Sequence, residues 1–182
     1  MTMTMTMTTE DVSAASATVS SRPRRSRVRT ARLAIGAVAL VLAAGDLIFK
    51  AVAEHNLNGE RSVHLGVLDL RLGYNSGAAF NLGAGLPTWV VLAVTSVITV
   101  GVAVFAWRSA ATASWPVLIG LAMVLAGAVG NLADRAGDGL VTDYLHTGWW
   151  PTFNLADVFI TLGAITVALA VLREDMSHRR GR

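Results

Sequence analysis

The chain contains no cysteine. That excludes disulfide frameworks, thiol catalysis and thiolate metal sites. Charge is also scarce: Asp, Glu, Lys and Arg make up 15% of the 182 residues, against 53% hydrophobic residues and a mean hydropathy of +0.54. Such a balance excludes an ordinary soluble domain and indicates an integral membrane protein. The four histidines follow no ligand spacing: His55, His64 and His146 are scattered and His178 lies near the C-terminus. Neither a metal site nor a cofactor is expected. The formal charge of +3 and the pI near 10.2 do not indicate nucleic acid. The arginines gather between Arg22 and Arg32 and again between Arg173 and Arg182, leaving the middle nearly bare. A nucleic-acid surface needs a basic face with aromatics between the charges. Basic flanks around apolar spans are instead the signature of cytoplasmic membrane ends.

What is present is a set of long apolar runs. Leu33 to Ala53, Trp89 to Trp107, Trp115 to Ala133 and Asn154 to Leu172 are each long enough to cross a bilayer as a helix. Tryptophan closes both ends of the second run, as interfacial anchoring predicts. Gly120, Ala126, Gly127 and Gly130 give the third run small faces for close helix packing. The expected fold is therefore an all-α membrane protein of four transmembrane helices. Residues 1–31, with a Met-Thr repeat and then arginines, read as a disordered basic cytoplasmic tail touching anionic headgroups. Residues 32–173 form the membrane domain, and 174–182 a second basic tail. The arginine-flanked first run is read as a span, not a cleaved leader, because it continues past Gly45 and further spans follow.

Four spans put both tails on one side with Arg108, and the positive-inside rule makes that side cytoplasmic. The loops 54–88 and 134–153 are then extracytoplasmic. In the first, Leu68 to Leu72 alternates with period two and Val63-His64-Leu65 does so before Gly66, which predicts a small β-hairpin or curved sheet on the membrane surface. The second loop carries Asp143, read as lying in a short loop, and Trp149 and Trp150.

This topology gathers the polar residues of the spans at one end. Asp46 and Lys50, spaced i and i+4, share a face of the first helix. Asn131, Asp134 and Arg135 close the third span, and Asn154 and Asp157 open the fourth, with Asp157 in the first turn where the helix dipole favours an anion. Asn75 precedes the small residues Ser76, Gly77, Ala78 and Ala79, which allow close backbone approach to a ligand. Ionisable groups in membrane helices are costly unless they pair or work. Two carboxylates sharing such a site do not both ionise easily: one keeps its proton while the other acts as base. Such a pair can activate water against a peptide carbonyl without a metal or a nucleophilic side chain. The residues leave open which two of Asp134, Asp143 and Asp157 face each other. A transporter using the same charges would spread them through the membrane depth, whereas the middles of the last three spans carry none.

From about Leu33 to Leu172 the chain resembles the lipoprotein signal peptidase (signal peptidase II) family. Asp46 and Lys50 match its Asp-Gln-x-x-Lys element, and Asn75 to Phe80 its Asn-x-Gly-Ala-Ala-Phe element. Gly130-Asn131-Leu132-Ala133-Asp134-Arg135 matches Gly-Asn-x-x-Asp-Arg, Val141 to Tyr144 matches Val-x-Asp-Phe, and Phe153-Asn154-Leu155-Ala156-Asp157 matches Phe-Asn-x-Ala-Asp. The resemblance implies an aspartic endopeptidase of the bacterial cytoplasmic membrane. It would cleave prolipoproteins just before a cysteine that carries diacylglycerol, acting as a monomer among membrane lipids. It implies Asp143 and Asp157 as the catalytic pair and Asp134 as a supporting carboxylate paired with Arg135. Asp46, Lys50, Asn75, Gly77, Gly130, Asn131, Asn154 and Ala156 would bind substrate or brace the acids. Leu47 and Ala126 depart from the pattern, standing for Gln and Gly, and the segment from Asp143 to Asp157 is short.

Overall fold

In the computed structural model, residues 22–57, 61–77 and 85–180 are described. Four helices dominate: α1 (Arg22–Asn56), α2 (Thr88–Ser109), α3 (Trp115–Asp138) and α4 (Leu155–Arg180). Three strands, β1 (Ser62–His64), β2 (Asp69–Asn75) and β3 (Val141–His146), form a small antiparallel sheet in that order. All four helices are long and apolar enough to cross a membrane. Their outer faces carry bare aliphatic side chains, with Leu40, Val41 and Val97 at 70%, 68% and 72% exposure. A contiguous apolar surface of this kind belongs against lipid.

Helix α3 is the centre of the bundle and packs against α1, α2 and α4. Small residues let it do so. A Cβ at Gly127 would run into the backbone carbonyl of Ala156, so the α3 and α4 backbones approach almost to contact there. At the end of the bundle away from the sheet, Ala31 and Ile35 of α1 meet Ala106 and Ala110 of α2, Leu118 of α3 and Ala170 of α4 in one buried cluster.

The sheet lies at the other end. The predicted hairpin is present: β1 pairs with β2 from Ser62↔Arg71 to His64↔Asp69, and the turn passes through Gly66 at φ 88°. Beyond it, β2 pairs with β3, with Gly73 opposite Asp143 and Asn75 opposite Val141. The third strand corrects the reading of Asp143 as a loop residue. Val141 to Tyr144 are all buried, so no alternation of polar and apolar residues marks the strand, and its partner lies far away in sequence. Helix α3 prepares it: Gly139, left-handed at φ 89°, caps the helix by donating its N–H to the Arg135 carbonyl, and the chain enters β3 two residues later.

Helical structure extends into both basic segments. Helix α1 begins at Arg22, and α4 continues to Arg180, so residues 22–31 and 174–180 are helical. Arginine and alanine favour helix wherever nothing interrupts them. The α1 extension is held against the α2–α3 turn, where Arg27 donates to the Ala113 carbonyl at 3.0 Å and the Arg32 guanidinium stacks 4.4 Å from the Trp107 ring centroid. Residues 1–21, and Ala78 to Phe80 of the small-residue motif, lie outside the described residues.

Candidate active site

The site is built from the α1 stripe outward. Asp46 is fully buried, and Lys50, one turn later and the single lysine of the chain, lies 3.0 Å from its Oδ2. The other oxygen of Asp46 accepts the backbone N–H of Ala156 at 2.8 Å, joining α1 to the first turn of α4. Gly130 makes room for this carboxylate: a Cβ there would lie 2.7 Å from Asp46 Oδ2. Lys50 does more than balance Asp46. Its Nζ also lies 3.2 Å from Asp134 Oδ2 and donates to Asn131 Oδ1 at 2.8 Å, so one ammonium ties α1 to two residues of α3. Such a buried cation is tolerable because carboxylates and an amide oxygen surround it.

The start of α4 is a reciprocal cap. The Asp157 N–H donates to Asn154 Oδ1 at 3.0 Å, and the Asn154 N–H donates to Asp157 Oδ2 at 3.2 Å. This is a capping box with aspartate at its third helical position. Because Asn154 uses its oxygen for the cap, its amide nitrogen is free to donate to Asp143 Oδ1 at 2.7 Å and to Asn131 Oδ1 at 3.1 Å. Asn131 in turn donates to Asp157 Oδ1 at 2.9 Å. A continuous chain of hydrogen bonds therefore connects Asp143, Asn154, Asn131 and Asp157, the first two buried and the other two half-buried.

Asp143 projects from β3 into this network and also receives a hydrogen bond from the Asn75 side chain on β2. Its carboxyl is pushed up to about 7, first by burial and then by the neighbouring charge of Asp157; the hydrogen bonds from Asn154 and Asn75 offset part of the rise. Asn75 also accepts the Gly77 N–H at 3.0 Å, and Arg135 donates to the Gly77 carbonyl at 3.0 Å. Both backbone groups of Gly77 are thereby fixed beside the acids.

A cavity of about 410 Å³ opens here, lined by Asp143 and Asp157 together with Asn75, Gly77, Asn131 and Arg135. Its apolar walls come from α2, α3 and α4, with Ile98, Leu132 and Ile160, and Trp150 to Phe153 border it from the β3–α4 connection. Asp46, Lys50 and Asp134 do not line it.

The structure thus brings all twelve sequence-predicted residues into one connected cluster and divides them. It also corrects one pairing. Asp134 is held by Lys50 and by the Thr142 N–H at 2.8 Å, whereas Arg135 turns to Gly77. Adjacent residues on a helix point about 100° apart, so these two serve different partners. Two pairs of residues escaped the sequence reading. Thr142 Oγ1 donates to Glu54 Oε1 at 2.6 Å, fixing β3 to α1. Thr95 and Thr99 of α2 line the cavity. The position of Glu54, four residues beyond Lys50 and eight beyond Asp46, was the available signal.

Fold and site together define a four-span membrane protein with two carboxyl groups on one cavity at one end of the bundle. Comparison with known proteins narrows this to a single family. The family model for signal peptidase (SPase) II matches residues 38–173, and the chain belongs to that family. Curated relatives agree. A lipoprotein signal peptidase of Rhodococcus jostii (strain RHA1) is 37% identical over 160 residues, covering 84% of this chain and 79% of the relative. One from Ectopseudomonas mendocina (strain ymp) is 35% identical over 152 residues, covering 78% and 89%. Among solved structures, a bacterial membrane enzyme determined by the in meso method at 2.3 Å resolution superposes with a TM-score of 0.68 at 22% identity, covering 78% of this chain and 89% of that one. A second, at 1.9 Å resolution, gives 0.65 at 22% identity, covering 76% and 92%. These two likenesses concern the fold.

Proposed function

We propose that this protein removes signal peptides from bacterial prolipoproteins by aspartic catalysis, cutting just before a cysteine that already carries diacylglycerol. The observation that carries the reading is the placement of Asp143 and Asp157 on one cavity, connected through Asn154 and Asn131. The substrate class comes from membership of the family and from relatives named lipoprotein signal peptidase.

The chemistry follows from the unequal settings of the two acids. Asp143, its carboxyl raised to about 7, keeps its proton far above the usual carboxylate range, and in its protonated form donates it to the oxygen of the scissile carbonyl. Asp157 takes a proton from a water molecule between the two carboxyl groups, and the water oxygen attacks the carbonyl carbon. The tetrahedral intermediate then collapses. Its C–N bond breaks as Asp157 passes its proton to the departing cysteine nitrogen, the hydroxyl proton returns to Asp143 as the C=O bond re-forms, and the signal peptide leaves with a new C-terminal carboxyl group. Asn131 and Asn154 hold the carboxyl groups in register, which is where much of the rate of such a reaction arises. The Gly77 carbonyl, held by Arg135, keeps a second lone pair that can accept an N–H of an extended substrate.

The apolar cavity walls suit a signal peptide and the lipid on the cysteine that follows it, both of which arrive from the bilayer. The positive-inside distribution supports cytoplasmic termini and a site at the extracytoplasmic face of the cytoplasmic membrane. Purified protein in detergent is expected to convert a diacylglyceryl-modified precursor into two products whose masses place the cut before the modified cysteine. The unmodified precursor is expected to stay intact. Equal cleavage of both precursors contradicts the substrate assignment.

A further inference from the structure

The motifs that define the family leave Glu54 unassigned, yet it completes a stripe on α1. Asp46, Lys50 and Glu54 follow one another at four-residue spacing and share one helical face. Each ties α1 to a different element that carries an acid of the site. Asp46 holds the first turn of α4 through the Ala156 N–H, and Lys50 holds α3 through Asp134 and Asn131. Glu54 holds β3 through the Thr142 hydroxyl at 2.6 Å, the short distance of a hydroxyl donating to a carboxylate.

Thr142 is 3% exposed, and both of its donors end on carboxylates: its N–H on Asp134 of α3 and its Oγ1 on Glu54 of α1. It directly precedes Asp143. Successive side chains of a strand point to opposite faces. Pulling the Thr142 side chain toward α1 therefore rolls β3 so that Asp143 faces the cavity and the Asn154 amide. Asp143 sits on a short strand next to the Leu70–Gly73 irregularity of β2, where the ladder alone specifies the roll weakly.

We infer that Glu54 and Thr142 form a tether that aims Asp143, making both positioning residues for the hydrolysis. The inference rests on Asp143 being a reacting acid. Glu54 itself does not line the cavity.

The test is steady-state cleavage of the lipid-modified precursor by six forms of the full chain in detergent: wild type, Thr142→Val, Thr142→Ser, Glu54→Ala, Glu54→Gln and the double variant Thr142→Val/Glu54→Ala. Thr142→Val and Glu54→Ala are each expected to lower kcat about tenfold with KM changed less than about twofold, and the double variant to be no slower than either single, the mark of residues acting as one unit. The conservative Thr142→Ser and Glu54→Gln retain a donor and an acceptor and are expected within about threefold of wild type. The alkaline limb of the pH–rate profile is expected to move in the two disabling singles and to stay in place in the conservative forms, which a purely structural defect would not produce. Wild-type kcat in both disabling singles, losses that multiply in the double variant, or no recovery by serine and glutamine overturns the tether. An Asp143→Asn control separates the two levels. If it stays active, the reading of the reaction fails; if it is inactive while both disabling singles match wild type, the tether alone fails.

Discussion

The side-chain amide of Asn154 donates to Asp143 over 2.7 Å. It can do so because its oxygen is committed to capping α4 through the Asp157 N–H. Helix initiation and the alignment of the two acids are thus one structural event. The two roles separate by mutation. Asn154→Ser keeps a capping oxygen and is expected to leave the unfolding temperature in detergent near wild type, while processing falls at least about tenfold because the amide donor is gone. Asn154→Ala loses both and should be less stable by about a further 1 kcal/mol.

The raised carboxyl of Asp143 gives the reaction a signed pH dependence. If Asp143 donates a proton, kcat/KM falls as pH rises through about 7. The hydrogen bond from Asn75 favours the charged form of Asp143 and so lowers its titration point. Asn75→Ala is therefore expected to move the alkaline limb to higher pH, along with any loss of rate. The same group acts on stability. Its folded value lies above the ordinary 3.8, so its contribution is complete below about pH 4 and is lost as pH rises toward about 7. Unfolding followed across that window should show a fall that is flattened in Asp143→Asn.

Lys50 compensates two carboxylates, Asp46 at 3.0 Å and Asp134 at 3.2 Å. Lys50→Met leaves Asp46 buried without its cation, a change that costs about 3–5 kcal/mol when one partner of a buried pair is removed. Thermal unfolding in detergent should show that loss, and adding Asp46→Asn should return part of it.

Gly130 is required by space. Its missing Cβ would stand 2.7 Å from Asp46 Oδ2, so Gly130→Ala must push the carboxylate away from Lys50 or spread α1 from α3. A cost of about 1–3 kcal/mol is expected for such overpacking, read as a lower unfolding temperature. Gly137→Ala, at a glycine with nothing near its missing Cβ, is the comparison and should have little effect.

The spans were legible in the sequence because lipid imposes a run of about 20 apolar residues that little else produces. The hairpin was legible from the alternation of Leu68 to Leu72 and from Gly66. Strand β3 was not, because burial on both faces erases alternation and its pairing with β2 is long-range. Within the site, one-turn spacings announced Asp46 with Lys50 and Asn154 with Asp157. Partner choice across helices was not legible. The resemblance paired Asp134 with Arg135, but neighbours on a helix diverge, and the structure gives Lys50 to one and Gly77 to the other. Thr142 and Glu54 stayed hidden because a hydroxyl in a strand and an exposed acid near a helix end are ordinary features until the fold brings them to 2.6 Å.

The central claim is that Asp143 and Asp157 are the reacting acids, with Asp134 bracing them. Processing of a diacylglyceryl-modified prolipoprotein by Asp143→Asn and Asp157→Asn, each checked for membrane insertion, measures it most directly. Both variants are expected to insert normally and to leave the precursor uncut, a loss of at least about a thousandfold. Full processing by either inserted variant contradicts the account.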